Sequence, residues 1–462
     1  MIPAKENRSI LQDASFGGSE RRQSLDLRPH LPHSGPLSGV PGRGNKRLVH
    51  HLLDSRGMLA PYPYRRTQLT ANSLSMLSIF ESITRRLTEA WKTQEPSGRG
   101  HAYRCQCGRP VFFRNSVCLA CKTPLGFEPE ELAVRPLEPG FVANTWKVFG
   151  QKEDKPLWRR CENFNSPAGC NWLVNAEETE PLCISCRLNN TIPDLLNADN
   201  ARWWRQIENA KRRLVVQLLS LGLPVKTKVS EDKETGLMFD FLRSPEKGPR
   251  VLTGHASGLI TLNVEEADDS IRERVRHEMR EPYRTLLGHF RHEVGHYYWD
   301  RLIPNTAWHE KFRELFGDER QDYQAALRKN YDQGPPPDWR DRHISAYASV
   351  HPWEDWAESW AHYLHVVDSL DTALGFGLRG EDVEAEVEPF TVDDLYDPQA
   401  PDAARVVQLI NSWVQLTTVL NELARSMGQH DFYPFIMSRP VLKKLHFIQM
   451  VVKENRGGAS LV

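Results

Sequence analysis

The sequence predicts an α+β protein in which a mainly helical domain with a small antiparallel sheet follows small cysteine-rich modules and a disordered N-terminal extension. Three observations predict this order. Residues 1–98 are rich in Pro, Gly, Ser and Arg. All eight cysteines then fall between Cys105 and Cys186. Beyond them, apolar residues recur mainly at helical spacing, and strand-like alternation is confined to a short run at 258–264.

Composition excludes several classes of protein. The 462 residues allow roughly two to four domains. Lys and Arg number 59 and Asp and Glu number 60, so the net charge of −1 gives no overall attraction to nucleic acid or anionic membrane. No stretch approaches the ~18 apolar residues of a membrane helix, and residues 1–20 lack an apolar signal-peptide core. We therefore expect a cytoplasmic protein with no membrane or nucleic-acid partner.

The extension at residues 1–98 is predicted to be basic and disordered. Up to Gly100 the chain has 15 Lys and Arg but only 8 Asp and Glu. A segment of this composition buries too little apolar surface to offset the entropy of ordering it. A solvated tail is the first interpretation, and an arm that binds nucleic acid or another partner is the alternative.

Residues 99–128 are predicted to form a zinc ribbon. Cys105 and Cys107 are followed, after ten residues, by Cys118 and Cys121. Two short cysteine pairs on adjacent turns supply the four tetrahedral thiolates that a structural zinc ion requires. The C-x-C pair is tighter than the usual C-x₂-C, and free or redox-active thiols are the alternative.

Residues 129–195 contain a second cysteine cluster, for which we predict a second structural zinc. Its ligands are Cys161, Cys170, Cys183 and Cys186, with irregular spacing between the first two. Four thiolates leave no open position for water, so neither cluster is expected to be catalytic. Modules of this kind hold a small domain together or present a surface to a protein partner.

The main domain, predicted at 196–380, carries the motif His292-Glu293-Val-Gly-His296. On a helix, positions i and i+4 share one face, so both imidazoles can bind one zinc ion. The glutamate between them can then act as general base toward a bound water. Pro282 precedes the expected helix, and another proline follows it. The alternative is a solvated helix with two chance histidines.

A catalytic zinc needs a third protein ligand and one open position. In the Trp-rich segment that follows Pro352, Glu354 is the preferred ligand. Glu358, one turn further on, is expected to accept the N–H of a ligating histidine. Asp300 is a further residue expected to support the ligands. The alternatives for the third ligand, in order, are Glu358, Asp300, His362 and His351.

Two further features are expected near the zinc. Tyr347 lies seven residues before Glu354 and is predicted to hydrogen-bond the oxyanion that forms when water attacks a carbonyl, with a buried core tyrosine as the alternative. The alternating run 258–264 is interpreted as a core strand. The alternative is an edge strand that pairs with an extended peptide.

The C-terminal part, residues 381–462, is predicted to be an acidic linker followed by two helices that pack on the main domain. No Lys or Arg occurs between 381 and 401, which favours a linker or surface loop. Apolar periodicity predicts the helices at 403–427 and 440–452.

Several long runs within residues 101–455 resemble a bacterial family of zinc-binding metallopeptidases with an N-terminal zinc-ribbon domain. They include "LLGHFRHEVGHYYWDRLI", "SAYASVHPWEDWAESWAHYLH" and "SMGQHDFYPF". The resemblance implies a cytoplasmic, zinc-dependent peptidase with a zincin-like fold. It also implies metal ligands at His292 and His296 and a catalytic base at Glu293.

The third ligand follows from a looser similarity. The spacing of Tyr347, Glu354 and Glu358 resembles that of lethal-factor-type gluzincins, in which the first glutamate binds zinc and the tyrosine assists the oxyanion.

The sequence thus predicts a zinc-dependent metallopeptidase with one catalytic zinc and one or two structural zincs. Its substrate is a peptide or protein, and the ribbons offer a surface to a protein partner. The alternative is a zinc-ribbon binding or regulatory protein with an inert zincin domain, with or without association with nucleic acid.

Overall fold

The computed structural model describes residues 101–456 except 153, 279–283, 381–382 and 384–386. The predicted disordered extension at 1–98 and the helix start at Pro282 lie outside the described residues. Within the described ranges, every helix is too short or too polar to cross a membrane.

The cysteine-rich part is built from short antiparallel strands. The first hairpin pairs β1 (Tyr103–Arg104) with β2 (Pro110–Val111). A five-stranded sheet follows in sequential order, with strands β3 (Leu125–Glu128), β4 (Ala133–Pro139), β5 (Trp146–Val148), β6 (Trp158–Arg160) and β7 (Leu173–Asn175). Its core is aromatic: the rings of Phe127 and Trp172 lie 4.5 Å apart, and both side chains are fully buried.

The main domain contains a mixed sheet, so the predicted antiparallel sheet is wrong in this respect. Its strand order is β10 (Gly254–Ala256), β11 (Leu259–Asn263), β9 (Met238–Leu242) and β8 (Asn189–Thr191). β9 runs parallel to both β8 and β11, and only β10 is antiparallel to its neighbour. The helix between β8 and β9 makes a crossover connection, which places the strands it joins in parallel.

The part of the chain that the structure describes contains nine α-helices. They are α1 (Ala198–Ser220), α2 (Asp269–Glu278), α3 (Leu286–Leu302), α4 (Trp308–Phe316), α5 (Tyr323–Gln333), α6 (Trp339–Arg342), α7 (Pro352–Gly375), α8 (Ala403–Ser426) and α9 (Arg439–Glu454).

Helices α3 and α7 pack against each other at the centre of the main domain. α3 begins after Thr285, whose side chain accepts a hydrogen bond from a backbone N–H of the first turn. α7 begins at Pro352, which suits the first turn of a helix. A Cβ added at Gly295 of α3 would lie 2.9 Å from the Cα of Ala357 in α7. Gly295 therefore permits the close approach that brings the faces of the two helices together.

The C-terminal helices complete this core. In α9, Lys444 extends into the interior and its Nζ lies 2.6 Å from a carboxylate oxygen of Asp355 on α7. The later, described part of the acidic stretch also packs inward: Leu395 is buried, and the ring of Tyr396 lies 5.2 Å from that of Phe447. This part of the predicted linker is therefore attached to the main domain.

Candidate metal centre

Helices α3 and α7 bring His292, His296 and Glu354 to one point. The two histidine Nε2 atoms are 3.2 Å apart. Glu354 Oε2 lies 3.1 Å from the Nε2 of His292 and 3.5 Å from that of His296. Ligands bound at ordinary Zn–N and Zn–O lengths in a tetrahedral shell are separated by about 3.3–3.6 Å. The triangle of donor atoms therefore has the size that one zinc ion requires.

The chemistry of the same atoms also fits a cation. Glu354 is 2% exposed, and its buried Oε2, close to the two imidazoles, accepts no hydrogen bond of good geometry from the residues that the structure describes. An unsatisfied buried carboxylate oxygen is costly unless a cation compensates it. Imidazole nitrogens and a carboxylate form a donor set that suits zinc. The residues present thus match the ion that the motif predicts.

Glu358 lies beside this triangle and holds one of its histidines. Its Oε1 lies 2.7 Å from His292 Nδ1, and its Oε2 accepts a hydrogen bond of 2.6 Å from the Ser345 hydroxyl. A carboxylate at Nδ1 favours the tautomer whose Nε2 lone pair is available to a metal. Burial raises the pKa of Glu358, but the contacts with His292 outweigh burial and lower it. Glu358 remains ionised and orients His292.

Glu293 extends from the same helix but takes no part in the triangle. It is 9% exposed. Burial raises the pKa of its carboxyl above the usual range, although the neighbouring His292 and His296 act in the opposite direction. A carboxylate of raised pKa beside a metal site is suited to accept a proton and to release it again.

Two tyrosines adjoin the triangle, and sequence reasoning found only one of them. The ring of Tyr347 lies 6.0 Å from that of His292. Tyr323, at the start of α5, donates a hydrogen bond of 2.8 Å to Glu354 Oε1. Tyr323 occupies the oxygen that faces away from the histidines and so fixes the orientation of the carboxylate. It comes from a polar segment with no periodicity or motif, so the sequence carried no signal for it.

The remaining candidates for the third ligand are not among the donor atoms that converge at the triangle. Asp300 is exposed and, among the described residues, makes no hydrogen bond to His296, whose Nδ1 has no partner. The ring of His351 accepts the N–H of Trp353 and caps α7. His362 Nδ1 lies 2.7 Å from the hydroxyl of Tyr433. The charge of His296 acts on Asp300, which follows it by about one helical turn, and a supporting role for Asp300 stays a prediction.

The strand beside the triangle is β10. The run interpreted at 258–264 contains β11, which lies between β10 and β9, so the alternative of an edge strand for this run is wrong. Among the described strands, β10 and β8 are the two edges of this sheet, and β10 is the edge that packs beside α3. The ring of its His255 stacks 6.4 Å from that of His296, and its Nε2 accepts a hydrogen bond of 2.9 Å from the Gly258 N–H.

Both cysteine clusters have the spacing of metal sites. Cys105 and Cys121 sulfurs are 3.5 Å apart, Cys107 and Cys118 sulfurs 3.8 Å, and Cys170 and Cys183 sulfurs 3.7 Å. Thiolates around a tetrahedral zinc are separated by about 3.8 Å, whereas disulfide sulfurs are about 2.05 Å apart. All eight cysteines are free thiols. Each cluster can therefore hold one zinc ion.

The two clusters differ in their surroundings. In the first, Cys107 and Cys121 are exposed, whereas all four cysteines of the second are buried. Two buried residues of α1, Glu208 and Arg212, lie against the second cluster, and Glu208 is paired with the buried Lys211. Glu208 is fully buried, and its Oε2 lies 3.9 Å from the sulfur of Cys186. The second cluster is thus built into the main domain.

A zinc-ribbon part followed by a helical domain that brings an H-E-x-x-H motif to a glutamate defines a class, the zinc-binding metallopeptidases. Residues 200–451 match the family described as "Putative zinc-binding metallo-peptidase", and residues 102–197 match a zinc-ribbon domain family. The chain belongs to this metallopeptidase family, which confirms the resemblance found in the sequence.

The relatives include two proteins of Mycobacterium tuberculosis and one of Mycobacterium bovis, each named "Uncharacterized protein". Each is 41% identical over 349 residues, which cover 75% of this chain and 94% of the relative. No solved structure shows significant similarity to the chain.

Proposed function

We propose that the chain is a zinc-dependent peptidase that hydrolyses peptide bonds at the triangle of His292, His296 and Glu354. The convergence of these three donor atoms at zinc-ligand spacing is the observation that carries the proposal. The family supports it, because substrates of peptidases are peptides or proteins. Two structural zincs in the cysteine clusters complete the proposed set of three metal ions.

Zinc held at the triangle supplies a Lewis acid that polarises a carbonyl and lowers the pKa of a water toward ~7. Glu293 then accepts the proton of the attacking water on its carboxylate and passes it to the leaving amine. Tyr323 orients Glu354 through the hydrogen bond from its phenol, and Glu358 orients His292 through its carboxylate. Tyr347 is proposed as a hydrogen-bond donor to the oxyanion.

The edge strand β10 is the proposed support for the substrate backbone. Within the described residues, β11 is its only strand partner, so its other edge can pair with an extended peptide. Its position beside α3 would lay that peptide along the helix that carries Glu293. The carbonyl to be attacked would then lie close to the general base.

The first ribbon is proposed as a surface for a protein partner. Phe112 and Leu119 project from it and are 57% and 77% exposed. Exposed large apolar side chains on a small rigid module are typical of binding surfaces.

Domain boundaries are proposed near residues 128, 195 and 380. The strand β8, at 189–191, precedes the second of these boundaries but belongs to the sheet of the main domain.

A peptide library tests the proposed activity. Full-length protein supplied with Zn²⁺ is expected to generate fragments that mass spectrometry detects. Glu354→Gln removes the anionic ligand and is expected to lose both fragments and one zinc per chain. Glu310→Gln, a matched change at an exposed position of α4, is expected to behave as wild type. Cleavage by Glu354→Gln, or none by zinc-loaded wild type, would contradict the proposal.

A further inference from the structure

A buried carboxylate on α7 connects three other parts of the chain. Asp368 is 7% exposed, and its Oδ1 lies 2.8 Å from His101 Nε2. Its Oδ2 accepts hydrogen bonds of 2.7 Å from Arg291 and 3.0 Å from Arg213. Burial raises the pKa of Asp368, but the hydrogen bond from His101 and the charges of both arginines hold it well below the usual range. Asp368 is therefore an anionic junction.

One branch of the junction leads to the first ribbon. His101 lies four residues before Cys105, and its Nδ1 is 3.1 Å from the hydroxyl of Tyr103. Tyr103 is buried and belongs to β1, the first strand of the ribbon hairpin. The start of the ribbon is thus held directly on α7 of the main domain.

The other branch leads to the metal triangle. Arg291 is 2% exposed and immediately precedes His292. Besides Asp368, it donates to Gln217 Oε1 at 3.1 Å, and its guanidinium lies 2.6 Å from His365 Nδ1. A planar guanidinium held at several points has little freedom to rotate. Because consecutive Cα atoms are only about 3.8 Å apart, a fixed Arg291 also restricts the position of the His292 backbone.

The coupling passes through α3 rather than along α7. Asp368 lies 14 residues after Glu354, which corresponds to roughly 21 Å of helix. A displacement at Asp368 therefore reaches the triangle most directly through Arg291 and the neighbouring His292.

We propose that His101, Asp368 and Arg291 form a relay through which the zinc ribbon positions the metal triangle, so that all three are positioning residues for the H-E-x-x-H zinc. The relay gives the ribbon a second role besides offering a surface to partners. It rests on the proposed function, because the property that it tunes is the affinity of the triangle for zinc.

The test measures zinc affinity in the full-length protein by competition with a chelator. The double variant His292→Ala/His296→Ala lacks the triangle and so shows which part of the zinc signal comes from that site. Asp368→Asn is expected to weaken that site by about tenfold, the lower end of the effect of residues that hold metal ligands. His101→Leu is expected to weaken it by roughly threefold to tenfold. His101→Gln, which keeps an N–H donor, is expected to restore wild-type affinity. Arg104→Ala, an exposed change three residues after His101, is the control.

Two further readouts separate the relay from general instability and from failure of the proposed function. The zinc content of the cysteine clusters is expected to stay constant in His101→Leu. Amide hydrogen exchange in α3, followed by mass spectrometry, is expected to accelerate in His101→Leu and not in Arg104→Ala. If wild type bound no zinc at the triangle, the proposed function would fail and the exchange in α3 would still decide the relay. Wild-type exchange and affinity in His101→Leu would overturn the relay.

Discussion

Replacement of Glu293 by Gln is expected to abolish peptide hydrolysis while zinc stays bound at the triangle. The amide has the size of the carboxylate but cannot accept a proton from water, and removal of a general base costs roughly 10²–10⁴-fold in rate. Zinc is retained because the Glu293 carboxylate is not among the three converging donor atoms. The measurement is the rate of cleavage of one peptide from the library, together with zinc content by elemental analysis.

The control for this prediction is the same Glu→Gln replacement at a position outside the site. Glu314→Gln, on the exposed side of α4, is expected to keep both rate and zinc content. The proposed base would be wrong if Glu293→Gln hydrolysed the peptide as fast as this control. Loss of zinc in Glu293→Gln would instead place this carboxylate among the metal ligands.

Loss of the second cysteine cluster is expected to prevent folding of the main domain. Cys186→Ser removes one of four buried ligands, directly before the chain enters β8 of the mixed sheet. It also disturbs the buried charges of α1, where Glu208 and Lys211 are paired at 2.7 Å. Structural zinc contributes about 10–16 kcal/mol in small zinc domains, which equals or exceeds the ~5–15 kcal/mol stability of a typical domain. We expect no cooperative thermal transition and reduced helical circular dichroism.

The first cluster provides the matched comparison. Cys121→Ser alters an exposed ligand in the turn between β2 and β3, outside the sheet of the main domain. This variant is expected to lose one zinc per chain and to keep the helical signal and the cooperative transition. Equal stability of Cys186→Ser and Cys121→Ser would show that the second cluster is not part of the folding unit of the main domain.

The parts of the site that depend on local spacing could be predicted from the sequence. An i, i+4 pair of histidines shares a helix face wherever the helix forms, and Pro352 marks the start of the helix that presents Glu354. The convergence of the two helices could not be deduced, because it depends on the close approach permitted by Gly295.

The features missed are contacts between residues distant in sequence. Tyr323 reaches Glu354 from a polar helix, and His101 reaches Asp368 across 267 positions. Neither of these contacts produces a periodic pattern in the sequence. The sheet was mispredicted for a related reason: β8 has only three residues, and the parallel pairing of β8 with β9 is set by the helix that crosses between them.

Zinc content per chain decides whether His292, His296 and Glu354 hold a metal ion. Elemental analysis of protein purified without added metal would compare wild type with His292→Ala/His296→Ala. We expect three zincs in wild type and two in the double variant, because each cysteine cluster and the triangle are proposed to hold one ion. Equal zinc content in the two proteins, also after added Zn²⁺, would contradict a metal centre at His292, His296 and Glu354.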